Sequence, residues 1–250
     1  MNKVDQTIRS AKWKGLFPNF PTQIPSKLVV HHQMVHVDTQ TGDLYRILVN
    51  REQNLLKEFL FVLWELRMRA DSIVISEDQF GSFQYKPHLQ QYLQISKVEY
   101  SETFKQKSLH VLAKDLTSQT YQGNQAFEDG LFKKIGFYSE SISMIDNSMN
   151  PQVQAKRLQN PNLALNEVLD SIDEGLILID CGPEITSEYY TSPDKPNLVD
   201  ILLLTISQSN QVRGQMFANQ LDIEMQFRRV SSRASGDGMW KHEQWNKIDI

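Results

Sequence analysis

Two apolar runs restrict the fold more than any other feature of this chain. Residues 176–181 read LILIDC and are ended by Gly182-Pro183, and residues 198–206 read LVDILLLTI. Each is too short for a buried helix and rich enough in β-branched and leucine side chains to form a strand sunk in a core. After them, Leu221, Ile223, Met225 and Phe227 alternate with Asp222, Glu224, Gln226 and Arg228, the period of a strand with one dry and one wet face. Residues 207–214 are short enough to join two such strands as a hairpin. The last third of the chain therefore reads as an antiparallel sheet.

Upstream, residues 27–50 contain two β-rich runs around a polar connection with Gly42, again a hairpin signal. Asn50 and Gln53 form a capping-box spacing. Leu55, Leu56, Phe59, Leu60, Val62, Leu63 and Leu66 then put apolar groups around most of a helix, which places it inside the fold. Strands are expected at 72–76, 97–104, 108–116 and 137–145. Asn150-Pro151 and Asn160-Pro161 each resemble an N-cap with proline in the first helical turn, and Leu165, Val168, Leu169 and Ile172 form the stripe of a one-sided helix. Residues 119–136 carry no assignable pattern.

A helix followed by runs of strands argues for an α+β fold, an antiparallel sheet with a few packing helices, rather than an alternating parallel one. Residues 28–250 read as a single α+β domain, with a subdivision near 147–150 as the alternative. Residues 1–27 read as an extended, Pro-rich N-terminal arm. Pro18, Pro21 and Pro25 fix an extended path, and Leu16, Phe17, Phe20 and Ile24 are interleaved with them as apolar knobs for the chain's own core or for another subunit.

Of 250 residues, 40% are hydrophobic and 10% aromatic, which excludes a disordered chain. With 26 basic and 30 acidic side chains mixed along the sequence, no long-range field draws the molecule to a polyanion. A lone cysteine, Cys181, forms no internal disulfide. Residues 1–15 lack the apolar core of a signal peptide and no run is long enough to span a bilayer, so the expected location is the cytoplasm or an intracellularly assembled particle such as a virion.

The chemistry-bearing residues form no recognised catalytic set. On a strand, His32 and His36 share a face but lie roughly 13 Å apart, and His31 points to the other face, so the three do not share a metal. Cys181 lacks a visible base. Asp180, Glu184, Glu188, Asp194 and Asp200 stand at or near strand ends, where paired carboxylates can hold a divalent cation; Asp180 and Asp200 are the first candidates if the chain is a metal-dependent hydrolase or nuclease. Gly236-Asp237-Gly238 lacks the flanks of a phosphate loop and reads as a turn. Around it, Arg228, Arg229, Arg233 and Lys241 with Trp240 and Trp245 form a basic and aromatic patch, suited to single-stranded nucleic acid or to a protein interface.

The sequence calls for no cofactor and no metal. Its leading reading is a non-enzymatic structural or assembly subunit of a multiprotein complex, in a viral or phage particle or a bacterial machine. It would bind other protein subunits through Leu16, Phe17, Phe20, Ile24, Trp240 and Trp245, and no membrane. The alternatives are the carboxylate hydrolase and a nucleic-acid-binding component.

Overall fold

The computed structural model describes residues 3–24, 26–47, 56–82, 107–116, 132–142, 153–192, 197–208 and 213–248. Among them run strands β1 (Lys27–Val37), β2 (Asp43–Ile47), β3 (Ser72–Ser76), β4 (Ser108–Leu116), β5 (Lys134–Ile142) and β6 (Val153–Arg157), then β7 (Gly175–Ile179), β8 (Ile201–Ser207), β9 (Arg213–Asn219), β10 (Phe227–Ala234) and β11 (Trp240–Lys247). The helices are α1 (Lys3–Leu16), α2 (Leu56–Arg69), α3 (Glu77–Ser82), α4 (Ala164–Asp170), α5 (Pro183–Thr186), α6 (Glu188–Thr191) and α7 (Gln220–Gln226).

All eleven strands join one mixed sheet. Its main path is β10-β11-β8-β1-β7-β3-β4-β5-β6, with β2 on β1 and β9 on β2. From β8 across to β6 every neighbouring pair on that path is parallel. Antiparallel pairing is confined to β8–β11–β10 and to the β1–β2–β9 branch.

The expected antiparallel α+β sheet is thus corrected to a mostly parallel α/β sheet. The physical reason lies in the apolar runs. A strand covered by layers on both faces needs no polar face, and β3, β7 and β8 are buried along almost their whole length. Leu176 and Leu178 enter one core with Val30, Ile73, Ile75 and Leu203, while Ile177 and Ile179 enter the other with Val29, Val74, Leu202 and Leu204. Helices α1 and α2 close the first core and α4, α6 and α7 the second.

Other expectations shift with the topology. The hairpin at 27–47 forms, turning through Gly42 at φ 76°. Residues 207–214 do not join a hairpin, because β8 pairs with β1 and β11 while β9 pairs with β2. Asn160 caps a short 3₁₀ turn that leads into α4, with Leu165, Val168 and Leu169 buried. Residues 153–157 are a strand rather than a helix. The expected strand at 97–104 and the capping box at 50–53 lie outside the described residues.

The strand expected at 221–227 is a helix over Gln220–Gln226. The Asn219 side chain accepts from Leu221 N and caps it, and Gln220 Nε2 donates to Glu224 Oε1 four residues on. Seven alternating residues are also two i,i+4 pairs. Ile223 and Phe227 fall on one side and are buried, while Leu221 and Met225 fall on the other and are 68% and 67% exposed. Phe227→Ala is accordingly expected to cost about 3 to 5 kcal/mol, and Leu221→Ala or Met225→Ala within about 0.5 kcal/mol. Urea denaturation of the three variants checks this; a costly Leu221→Ala contradicts it.

The N-terminal segment is not an extended arm. Proline first occurs at position 18, so nothing forbids the helix Lys3–Leu16 before it. Trp13, Leu16, Phe17 and Phe20 belong to the first core, and Ile24 alone of the four expected knobs is exposed. Asn19 Nδ2 donates to Val230 O at 2.8 Å and Gln244 Nε2 donates to Asn19 O at 3.1 Å, tying the turn after α1 to β10 and β11. Strands from either side of residues 147–150 alternate within the one sheet.

Candidate active site

Parallel sheets of this kind bind ligands beyond the carboxyl ends of the strands, where the order of connection reverses. Here the chain steps outward from β3 to β6 and then returns with β7 between β1 and β3. The carboxyl end of β7 is therefore the place to look. It leads through Asp180 and Cys181 into Gly182-Pro183, which opens α5.

Beside this turn a cleft of about 770 Å³ lies over the carboxyl ends of β3, β4 and β5. Leu112, Leu158 and Leu165 form apolar parts of its lining, and Glu77, Asp78, Glu140, Glu184 and Glu188 bring five carboxylates to it. Its described lining contains no lysine or arginine. Tyr189 also borders it, and burial pushes that phenol up to about 12, so it stays protonated at neutral pH. Arg46 on β2 reaches the rim, with Nη1 3.5 Å from Glu184 Oε2. A Cβ on Gly182 would meet the ends of both of those flexible side chains, which would have to swing aside to admit it.

The turn is braced from below. Arg67 on α2, buried, donates from Nε to Asp180 Oδ2 at 2.9 Å and from Nη2 to the same oxygen. Gln33 Nε2 donates to Cys181 O at 2.6 Å and to His31 Nε2 at 2.8 Å. That fixes the His31 proton on Nδ1, which donates to Tyr190 Oη at 2.5 Å. Cys181 is buried, its Sγ donates to Val74 O at 3.5 Å, and burial raises its pKa well above the ordinary value. This thiol is a core group, not a nucleophile.

The residues singled out in the sequence are dispersed by this fold. Asp180 is spent on Arg67, and Asp200 Oδ2 accepts from Val29 N at 2.8 Å. Since Val29 is level with Ile177, Asp200 sits three residues (~10 Å) below Asp180 and two strands away, too far to share a cation. Among the described residues no group of three His, Cys, Asp or Glu is placed to hold a metal. His32 bonds Thr205 Oγ1 at 3.0 Å, and Thr205 contacts His242 Nδ1 at 3.3 Å, an internal network across β1, β8 and β11. Asp194 lies outside the described residues.

Gly236-Asp237-Gly238 is the β10–β11 turn, held by Asp237 Oδ1 accepting from Ser235 Oγ and Met239 N. Trp240 and Trp245 are buried, so the expected patch offers no stacking ring and no aromatic anchor for a partner. Arg228 and Arg233 remain exposed on β10, while Arg229 and Lys241 are both held by Glu243.

No family model and no curated protein matches the sequence. The fold, however, is known. A pyrimidine reductase-like protein from Corynebacterium diphtheriae superposes with a TM-score of 0.57 at 14% identity, over 95% of this chain and 98% of that one. Two forms of RibD from Acinetobacter baumannii give TM-scores of 0.54 and 0.55 at 9% and 11% identity, over 90% and 89% of this chain. The chain spans 59% and 58% of RibD in those comparisons, under two thirds of its length.

These likenesses carry the fold, and they overturn the leading reading from sequence. The expected α+β assembly subunit is corrected to a chain with the fold of a pyrimidine reductase-like protein, and nothing supports its place in a virion. The carboxylate hydrolase loses its paired acids and the nucleic-acid reading its rings. Among the described residues no helix is long and apolar enough to cross a membrane.

Sequence reasoning passed over Glu140, Arg46, Arg67 and Tyr189. Each is a single residue with no motif around it, and only the sheet order brings them to one edge. The signal within reach was the position of Cys181-Gly182-Pro183 directly after a fully buried strand, a strand-to-helix turn of the kind that parallel sheets use for ligands.

Proposed function

We propose that this chain is a reductase acting on a nitrogen heterocycle of the pyrimidine type, bound in the acidic cleft beside the β7 turn. The end-to-end likeness to a pyrimidine reductase-like protein carries this reading. The cleft's own chemistry supports it. Ring N–H and exocyclic amine groups are donors, carboxylates accept from both, and such charge-assisted bonds are the strong ones. Glu140 and Glu188 would take those donors, Tyr189 would add a neutral hydroxyl, and Leu112 and Leu165 would receive the ring face.

The electrons must come from a bound molecule. One buried cysteine cannot cycle through a disulfide, and no other side chain stores a hydride. A dihydronicotinamide or a dihydroflavin would supply one.

The test is to offer reduced nicotinamide and flavin donors together with aminopyrimidines and to follow oxidation of the donor. Oxidation that depends on the pyrimidine is expected. Glu140→Gln and Glu188→Gln should each raise KM for the pyrimidine about tenfold, the loss of one charge-assisted hydrogen bond. Donor oxidation indifferent to every pyrimidine, or KM unmoved in both variants, refutes the reading.

A further inference from the structure

A second cleft, of about 580 Å³, opens over the carboxyl ends of β1 and β8 and shares no lining residue with the acidic one. Its wall is built around Glu243 on β11, whose side chain is only 4% exposed. Oε1 accepts from Arg229 Nη1 at 3.1 Å and lies 2.6 Å from Lys241 Nζ, and Oε2 accepts from Trp245 Nε1 at 3.0 Å. A buried carboxylate needs one cation to be neutral, yet here it holds two. Arg229 and Lys241 are 47% and 37% exposed and both line the cleft; with Glu243 they carry one positive charge, which the Asp38 carboxylate elsewhere in the lining offsets, so the cleft pairs a local cation clamp with a separate acidic group.

Arrangement matters as much as the sum. Glu243 lies beneath the cations and draws them to one oxygen, which offsets their mutual repulsion and fixes them before any ligand arrives. Arg229 is held a second time, with its guanidinium carbon 5.4 Å from the centre of the Trp245 ring. Next to this clamp the lining turns apolar at Ile206 and Ile223. Asp38, in the same lining, has Oδ1 bonded to Gln40 N at 2.9 Å.

We infer that this cleft is a binding site for a small organic anion, its carboxylate or phosphate held by Arg229 and Lys241 and its apolar body resting on Ile206 and Ile223. The volume suits a molecule of one or two rings. A fixed pair of cations, one of them a planar fork, matches either anionic group. The site is independent of the acidic cleft and of what that cleft binds.

Titration calorimetry with benzoate, phenyl phosphate and the neutral isostere benzamide tests it on the full chain. Benzoate or phenyl phosphate should bind saturably and more tightly with falling salt, and the tighter of the two identifies the anionic group. Arg229→Gln and Lys241→Gln, at exposed positions that leave the core intact, should each weaken that binding about tenfold, while Glu140→Gln in the other cleft should leave it unchanged. Benzamide binding as tightly as benzoate overturns the assignment. So does binding that survives both substitutions, or the absence of saturable binding by either anion.

Discussion

Phe17→Ala is expected to lower the unfolding free energy by about 3 to 5 kcal/mol, the cost of an emptied aromatic site in a packed core. Phe17 is 0% exposed, its ring centre lies 4.8 Å from that of Trp13 and 5.8 Å from that of His242, and its N–H donates to Trp13 O to end α1. Removing residues 1–25 takes Trp13, Leu16 and Phe20 away as well and opens the part of the first core that α1 covers, leaving α2 over the rest. The truncated chain is expected to lose cooperative unfolding, where an arm reserved for a neighbouring subunit would leave the thermal midpoint unchanged. Thermal scans followed by circular dichroism separate the two outcomes, and a truncated chain with an unshifted midpoint refutes the part assigned to this segment in the chain's own core.

What the sequence reveals of this fold is uneven, for reasons visible in particular residues. The strand character of 176–181 and 198–206 is legible, because hydrophobicity and branching report burial directly. Their direction is not. Parallel neighbours are joined by long connections, and the ones linking β3 to β4, β4 to β5 and β5 to β6 include residues 83–106, 117–131 and 143–152, where no periodicity points to a crossover. Continuous burial on both faces was the available clue, and it favours a parallel sheet over the expected antiparallel one. At 221–227 the window was too short, since two i,i+4 pairs on a helix imitate a strand. Charge at a site is hidden in another way. Arg67 and Asp180, or Arg229, Lys241 and Glu243, reveal their pairing only after the strands are laid side by side, and β11 reaches β8 across more than thirty residues of chain.

The same burial that hides the histidines from solvent makes the fold sensitive to acid. Burial holds His31 and His32 down at about 3 and His110 at about 4, against an ordinary 6.5. Nearby His31, His242 and Arg67 disfavour a charge on His32 further. At His31 the cause is also geometric. Gln33 donates to Nε2 at 2.8 Å, so a second proton there would set N–H against N–H. In the unfolded chain each imidazole takes up its proton near 6.5, while in the folded chain it does so only near 3 or 4. Between those limits the unfolded state binds more protons, so the contribution is complete above 6.5 and declines as pH falls through the window. At about 1.4 kcal/mol per unit for each group, the three together should remove about 3 to 4 kcal/mol between pH 6.5 and about 5.5. Urea midpoints measured from about pH 7.5 downward should fall accordingly, and His110→Gln should reduce the slope by about a third. Midpoints that stay level to about pH 5.5 would mean that these imidazoles are hydrated in solution and that the two cores are looser than their packing implies.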